Sequence, residues 1–339
     1  MKFVSFDFEE KVIAGILVQD KVLPIGSNSE LIGYILPHQI EDLLEDWEHT
    51  IKISNLIIEN YHNSKEVISY KLSDLVLRAP VPKPTSCRDG YAFRQHVMTA
   101  RRNRGVEMIP EFGQYPVFYF TNHNSIIGPG DVIVEEDHLN QLDFELEIAI
   151  VIGREGRNIQ SSRADEYIAG FLIMNDLSAR LLQMEEMKLN LGPAKGKDFA
   201  TSIGPFLVTP DELLSKKIST QFGNSYDLQM RAFHNGKLIS EGNANQMNWT
   251  FAEIIERASY GVTLYPGDVI GSGTVGTGCY LELNGTRALE AKAKGENFTP
   301  IWLQEGDLIE LEIDLLGKLS NRIVKNQNSF SILKKKKNL

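Results

Sequence analysis

Ten residues, Asp-Phe-Glu-Leu-Glu-Ile-Ala-Ile-Val-Ile at 143–152, constrain this chain more than any other stretch. Their alternation reads as a β-strand with Phe144, Leu146, Ile148, Ile150 and Ile152 on one face. Glu145 and Glu147 then share the other face, about 6.7 Å apart at Cα from the rise of two strand residues. Parallel carboxylates beside an apolar sheet repel each other and lose hydration, and a bound cation relieves both effects. A strand with a solvated outer face carries the same alternation, so the pattern alone fits either arrangement.

The remaining 329 or so residues narrow the setting. At 339 residues the chain has length for one large or two modest domains, and 42% hydrophobic with 24% charged residues is a globular composition. A net charge of -10 disfavours nucleic acid and anionic membranes as partners. Cys87 and Cys279 are the only cysteines, which excludes a disulfide framework and a multi-cysteine metal site. Neither a signal-peptide pattern nor an apolar run of transmembrane length is present, so the expected location is cytoplasmic.

Along the chain, residues 1–78 read as a small α+β domain. Two short strands turn at 19–21, a helical spacing of apolar residues follows over 38–61, and a strand returns over 70–77. Three prolines within 79–84 enforce a stiff, extended linker. Residues 85–333 are strand-dominated and form the large domain, with 334–339 a solvated basic tail. Gly-Asp pairs at 130–131, 267–268 and 306–307 end turns and hand the chain to strands. Helices are expected at 94–104, 178–188 and 250–259, the last opened by a Thr250/Glu253 capping box. The Cys-Tyr-Leu-Glu-Leu stretch around Glu282 reads as strand. The fold class is mostly β with α (α+β), with the large domain a closed or rolled sheet.

Several polar positions carry chemistry. Asp89, Tyr91 and His96 fall within eight residues. Asp176 ends an apolar strand, where it serves either as a helix cap or as another carboxylate ligand. Arg180 and Gln183 share a helix face, and Lys197 follows a Gly-flanked turn. Together these three residues would form a donor cluster for an oxyanion. The glycine-rich loop 271–278 lacks phosphate-loop and dinucleotide spacing and reads as close backbone approach to a small ligand.

In this order the segments resemble the fumarylacetoacetate hydrolase family over roughly residues 80–325. Asp89-x-Tyr91-x-x-Arg94-Gln95-His96 is similar to the family's segment with a metal-binding aspartate and catalytic histidine. Tyr119 matches a substrate-contacting tyrosine, Glu145-Leu146-Glu147 the paired metal glutamates, and Asp176-x-Ser178-Ala179-Arg180-x-x-Gln183 the fourth ligand with two oxyanion residues. Lys197, the Gly273-Thr274 substrate loop and Glu282, which orients the histidine, complete the correspondence. The resemblance implies a β-roll catalytic domain, a small N-terminal domain, a homodimer and a role in aromatic amino-acid catabolism such as tyrosine degradation. Leu177, Met187 and Gly105 depart from the family pattern and leave the substrate open.

An all-oxygen ligand set, Asp89, Glu145, Glu147 and Asp176, suits one Mg²⁺, Ca²⁺ or Mn²⁺ and not Zn²⁺. The expected activity is hydrolysis of a carbon–carbon bond in a 1,3-dioxo acid such as fumarylacetoacetate or an acylpyruvate. His96, oriented by Glu282, would activate water, with Arg180, Gln183 and Lys197 holding the oxyanion and Tyr91, Tyr119, Gly273 and Thr274 contacting substrate. The alternatives are a lyase or isomerase acting on a 2-oxo dicarboxylate, such as an oxaloacetate decarboxylase, a hydratase or a 2-hydroxy-dienedioate isomerase, and a non-enzymatic cation-binding module.

Overall fold

In the computed structural model, which describes residues 1–63, 65–328 and 330–334, the alternating segment lies in the middle of an 11-stranded sheet. Strand Leu146–Ile152 is buried on both faces. Leu146, Ile148, Ile150 and Ile152 enter one apolar core, Ala149 and Val151 a second. The solvated outer face that alternation alone allowed is therefore absent. Leu146–Ile152 pairs antiparallel with Ile168–Asp176 on one side and Val269–Gly271 on the other. Val269–Gly271 pairs in parallel with Cys87–Gly90, and that strand pairs antiparallel with Phe118–Thr121.

A five-stranded sheet (Lys237–Asn243, Gln229–His234, Leu308–Ile313, Gly317–Lys325 and Gly130–Val134) supplies much of the wall opposite the even-numbered face. Its inward residues, Ile309, Leu311, Ile313, Leu319 and Ile323, share the first core with Leu146, Ile148 and Ile150. This is the rolled, mostly β architecture with helices that the sequence predicts.

Residues 1–78 build three antiparallel strands, Lys2–Phe8, Lys11–Val18 and Lys21–Pro24, and the helices Ile25–Leu31, Ile40–Leu44 and Trp47–His62. The expected strand over 70–77 is only Tyr70–Lys71, because a 3-10 turn at Leu72–Asp74 follows at once. Strand Lys2–Phe8 pairs with Thr201–Val208, so the large sheet runs without interruption into the N-terminal residues. Ala79 and Val81 are buried in the second core, and Pro80 accepts a hydrogen bond from Ser5 Oγ at 2.9 Å.

Turn chemistry follows the sequence closely. Gly267 and Gly306 take positive φ, and Asp268 and Asp307 accept from the amides of Tyr265 and Gln304 before their strands begin. Helices Arg94–Asn103, Arg180–Met187 and Phe251–Ser259 occur where expected. The segment around Glu282 differs: Tyr280–Lys294 is a 15-residue helix, not a strand. The five residues quoted for the strand reading alternate by chance, whereas downstream Leu, Ala, Glu and Lys are strong helix formers. The tail beyond Lys334 lies outside the described residues. Among the described residues no helix is long and apolar enough to cross a membrane.

The Thr250/Glu253 box closes reciprocally: Glu253 N donates to Thr250 Oγ1 at 3.2 Å and Thr250 N to Glu253 Oε2 at 2.9 Å. Thr250→Ala should cost about 1 kcal/mol of stability, read as a lower urea midpoint at unchanged slope.

Candidate active site

Strand register gathers four carboxylates onto one face. Ala149 pairs with Gly271, and Gly271 with Asp89, so Asp89 projects to the same side as the odd-numbered residues of the central strand. Glu147 pairs with Met174, two residues before Asp176, which places Asp176 on that side as well. Ligand atoms of Asp89, Glu145, Glu147 and Asp176 all lie within 4.8 Å of one another, and all four residues are buried.

Gly271 sits in the middle of this group. A Cβ there would meet Asp89 Oδ1 at 2.6 Å, Met174 Sδ at 2.8 Å and Glu147 Oε2 at 3.0 Å. Glycine is required here for space rather than for backbone conformation.

Two cations reach the cluster from the other side. Lys197 Nζ contacts both Glu145 and Asp176, and Arg180 donates to Glu145 at 2.7 Å and to Asp143 at 2.8 Å. Burial opposes the charge of Glu145, yet Lys197 and Arg180 hold its carboxyl below the usual carboxylate range. Asp89 has no such partner, and burial with the charge of Asp176 pushes its pKa up to about 7. Burial and then Asp89 push Glu147 well above its ordinary value. Glu147 Oε2 and Asp176 Oδ1 are buried without a hydrogen-bond partner. Orphaned oxygens, an all-oxygen donor set and uncompensated negative charge fit a hard divalent cation.

Above the cluster lies a cavity of about 840 Å³. Asp89, Tyr91, His96, Tyr119, Glu145, Arg180, Gln183, Lys197, Gly273 and Thr274 line it. Glu147 and Asp176 are buried beside Asp89 and Glu145 of that lining, and Glu282 is hydrogen-bonded to His96. The structure thus brings together every predicted site residue.

His96, on helix Arg94–Asn103, places Nδ1 at 2.7 Å from Glu282 Oε2 in a buried pair. The two helices are locked where Asn103 donates to the Glu282 carbonyl at 2.9 Å. Tyr119 donates to Asp176, Thr274 Oγ1 lies 3.4 Å from Glu147, and Gln183 accepts from Arg180 at 3.0 Å. The glycine-rich loop makes its closest approach to protein: a Cβ at Gly273 would sit 2.7 Å from the Gly90 carbonyl oxygen and 2.9 Å from Tyr91 Cα. This close packing and a φ of 80° both select glycine at 273, on the loop whose Gly273 and Thr274 line the cavity.

Sequence reading missed two supports. Asp143 is fully buried and accepts from Arg180, from Tyr280 N at 2.7 Å and from Leu281 N at 2.9 Å. It caps the helix carrying Glu282 from another strand, since the residue at the helix's own N-cap, Cys279, makes no side-chain cap bond. The alternation that groups Glu145 with Glu147 also puts Asp143 on their face, which was the available signal. Glu186 is the second: its carboxylate accepts from the amides of Ala194, Lys195 and Gly196 and so pins the turn bearing Lys197. Nothing local marks that role.

The chain belongs to the fumarylacetoacetate hydrolase family, whose C-terminal domain model matches residues 85–324. Among its relatives is the oxaloacetate tautomerase YisK of Bacillus subtilis (strain 168), 28% identical over 335 residues, covering 95% of this chain and 100% of that protein. The fumarylacetoacetate hydrolase of psychrophilic Exiguobacterium antarcticum superposes with a TM-score of 0.65 at 26% identity, over 96% of this chain and 100% of the other. The maleylpyruvate hydrolase of Sphingobium sp. SYK-6, in complex with manganese(II) and pyruvate, shares the fold with a TM-score of 0.68 at 21% identity over 96% and 100% of the two chains.

Two substitutions test the architecture. Gly271→Ala should weaken Mg²⁺ or Mn²⁺ binding about 10- to 100-fold, the range for disturbing groups that orient metal ligands, as read by calorimetric titration. Asp143→Ala should destabilise the fold by about 1–3 kcal/mol, because it leaves the amides of Tyr280 and Leu281 without their acceptor and Arg180 with Glu145 alone, and denaturant unfolding would show it.

Proposed function

We propose that this chain is a metal-dependent hydrolase of a carbon–carbon bond in a 1,3-dioxo acid of the fumarylacetoacetate or acylpyruvate type. The observation that carries this reading is the buried His96–Glu282 pair facing the cavity across from the carboxylate cluster. A histidine held by a carboxylate in this position can activate the water that hydrolysis requires.

Asp89, Glu145, Glu147 and Asp176 would hold one divalent ion, Mg²⁺ or else Mn²⁺ or Ca²⁺, which supplies Lewis-acid stabilisation of an enolate leaving group. Glu282 accepts from Nδ1–H of His96, fixing the tautomer whose Nε2 carries the lone pair. That nitrogen takes a proton from water as the oxygen bonds to the distal carbonyl carbon. Lys197, Arg180 and Gln183 stand where the oxyanion can be held, with Arg180 and Lys197 as the charged donors. When the carbon–carbon bond breaks, its electron pair passes to the departing fragment. The proton on His96 is then returned to that fragment, leaving a carboxylic acid and a ketone. Burial opposes the charge of Lys197, but Asp176 and Glu145 hold its ammonium above the ordinary range, so it acts as a fixed cation and not as a base.

A second reading is supported by the relationship to the oxaloacetate tautomerase: keto–enol interconversion or another lyase or isomerase reaction of a 2-oxo dicarboxylate at the same floor. Incubation with fumarylacetoacetate, acylpyruvates, oxaloacetate and a 2-hydroxy-dienedioate in Mg²⁺, with product identification, separates the two. Cleavage of a 1,3-dioxo acid supports hydrolysis. Rapid tautomerisation of oxaloacetate with no cleavage of any dioxo acid would replace it.

Stripping metal with a chelator should abolish turnover and added Mg²⁺ or Mn²⁺ restore it. His96→Ala should lower the hydrolytic rate by at least ~10²-fold and Glu282→Gln by less. The double variant should fall little below His96→Ala, because paired residues are not additive. Losses that multiply in single-turnover kinetics would separate the pair.

A further inference from the structure

Cys279 lies immediately behind the His96–Glu282 pair. One ligating atom from each of His96, Cys279 and Glu282 lies within 4.8 Å of the others, and all three residues are buried. Cys279 is a free thiol that caps no helix end, and the proposed hydrolysis gives it no task. Burial and then Asp143 push the thiol well above its ordinary range, with Glu145 and Glu282 adding to the rise and Arg180 opposing it.

The donor set differs in kind from the carboxylate cluster. One nitrogen, one sulfur and one carboxylate oxygen suit a borderline-soft divalent ion, and three protein ligands with a fourth position left to water are a common zinc arrangement. Tetrahedral zinc places its ligand atoms about 3.3–3.7 Å apart. His96 Nδ1 and Glu282 Oε2, now 2.7 Å apart, must open by about 0.6 Å, and the thiol must close on them by no more than about 1.5 Å.

We propose that His96, Cys279 and Glu282 form an inhibitory site for Zn²⁺ or a similar cation, separate from the carboxylate floor. Nδ1 is the histidine nitrogen that faces Glu282, so the cation takes its lone pair. The thiol proton passes to solvent, and the proton that Nδ1 gives up to make room for the cation is replaced by one taken on at Nε2, so the ring stays neutral. No lone pair is then left to accept a proton from water. No electron transfer is involved, and chelation reverses the block. The loss of hydrolysis rests on the base role given to His96; the binding does not.

Full-length protein with excess Mg²⁺, which keeps the carboxylate floor filled, is titrated with Co²⁺ and then Zn²⁺. One equivalent of Co²⁺ should produce a thiolate-to-cobalt charge-transfer band, and Zn²⁺ should remove it. Cys279→Ala should lack the band, bind Zn²⁺ at least tenfold more weakly by calorimetry, keep its turnover and resist zinc inhibition. Cys279→Ser, closer in size, gives the same comparison if the alanine variant folds poorly. Absence of the band in the wild type, or equal zinc affinity in wild type and variant, overturns the proposal. The band with no hydrolysis in any form would keep the site and remove the hydrolase reading instead.

Discussion

Four buried carboxylates with ligand atoms within 4.8 Å of one another set the terms for the rest of this structure. In a medium of low dielectric such a group is tolerable only with positive charge close by or with protons retained. Lys197 and Arg180 supply two charges, and both are drawn towards Glu145. Glu147 and Asp89 are left short, which is why burial lifts their pKa values while that of Glu145 falls. The asymmetry leaves Asp89 and Glu147 as the less compensated carboxylates of the four. Catalytic geometry and charge compensation are here one problem with one solution.

Asp143 joins the two halves of the chemistry. It holds Arg180 beside the carboxylate cluster, and through the amides of Tyr280 and Leu281 it fixes the start of the helix that carries Glu282. Burial raises its pKa despite Arg180, so it carries part of the same strain as the ligands. A positive helix end and a guanidinium both converge on this carboxylate, each stabilising the charge that the other needs.

Much of the site was legible in sequence because strand alternation is a rigid rule. Once 143–152 is a strand, Glu145 and Glu147 must share a face, and Gly-Asp turns and the Thr250 box are local enough to be read directly. The helix at Tyr280–Lys294 was not legible from the few residues around Glu282, because its start is capped by a residue 137 positions away. The separation of buried faces was hidden too: alternation predicts two sides but not that each meets a different core. Glu186, which holds the Lys197 turn through three amides, looks like any exposed helical glutamate.

The odd-numbered face that bears the carboxylates continues inward as Ala149, Val151, Leu172 and Met174, and there it is covered by Phe3, Ile16, Leu23, Ile40 and Ile53 from the first 78 residues. The N-terminal unit is thereby a roof over the inner end of the carboxylate cluster, and its apolar side chains close that end of the sheet to solvent. Residues far from the cavity in sequence thus set the surroundings in which the four carboxylates are held.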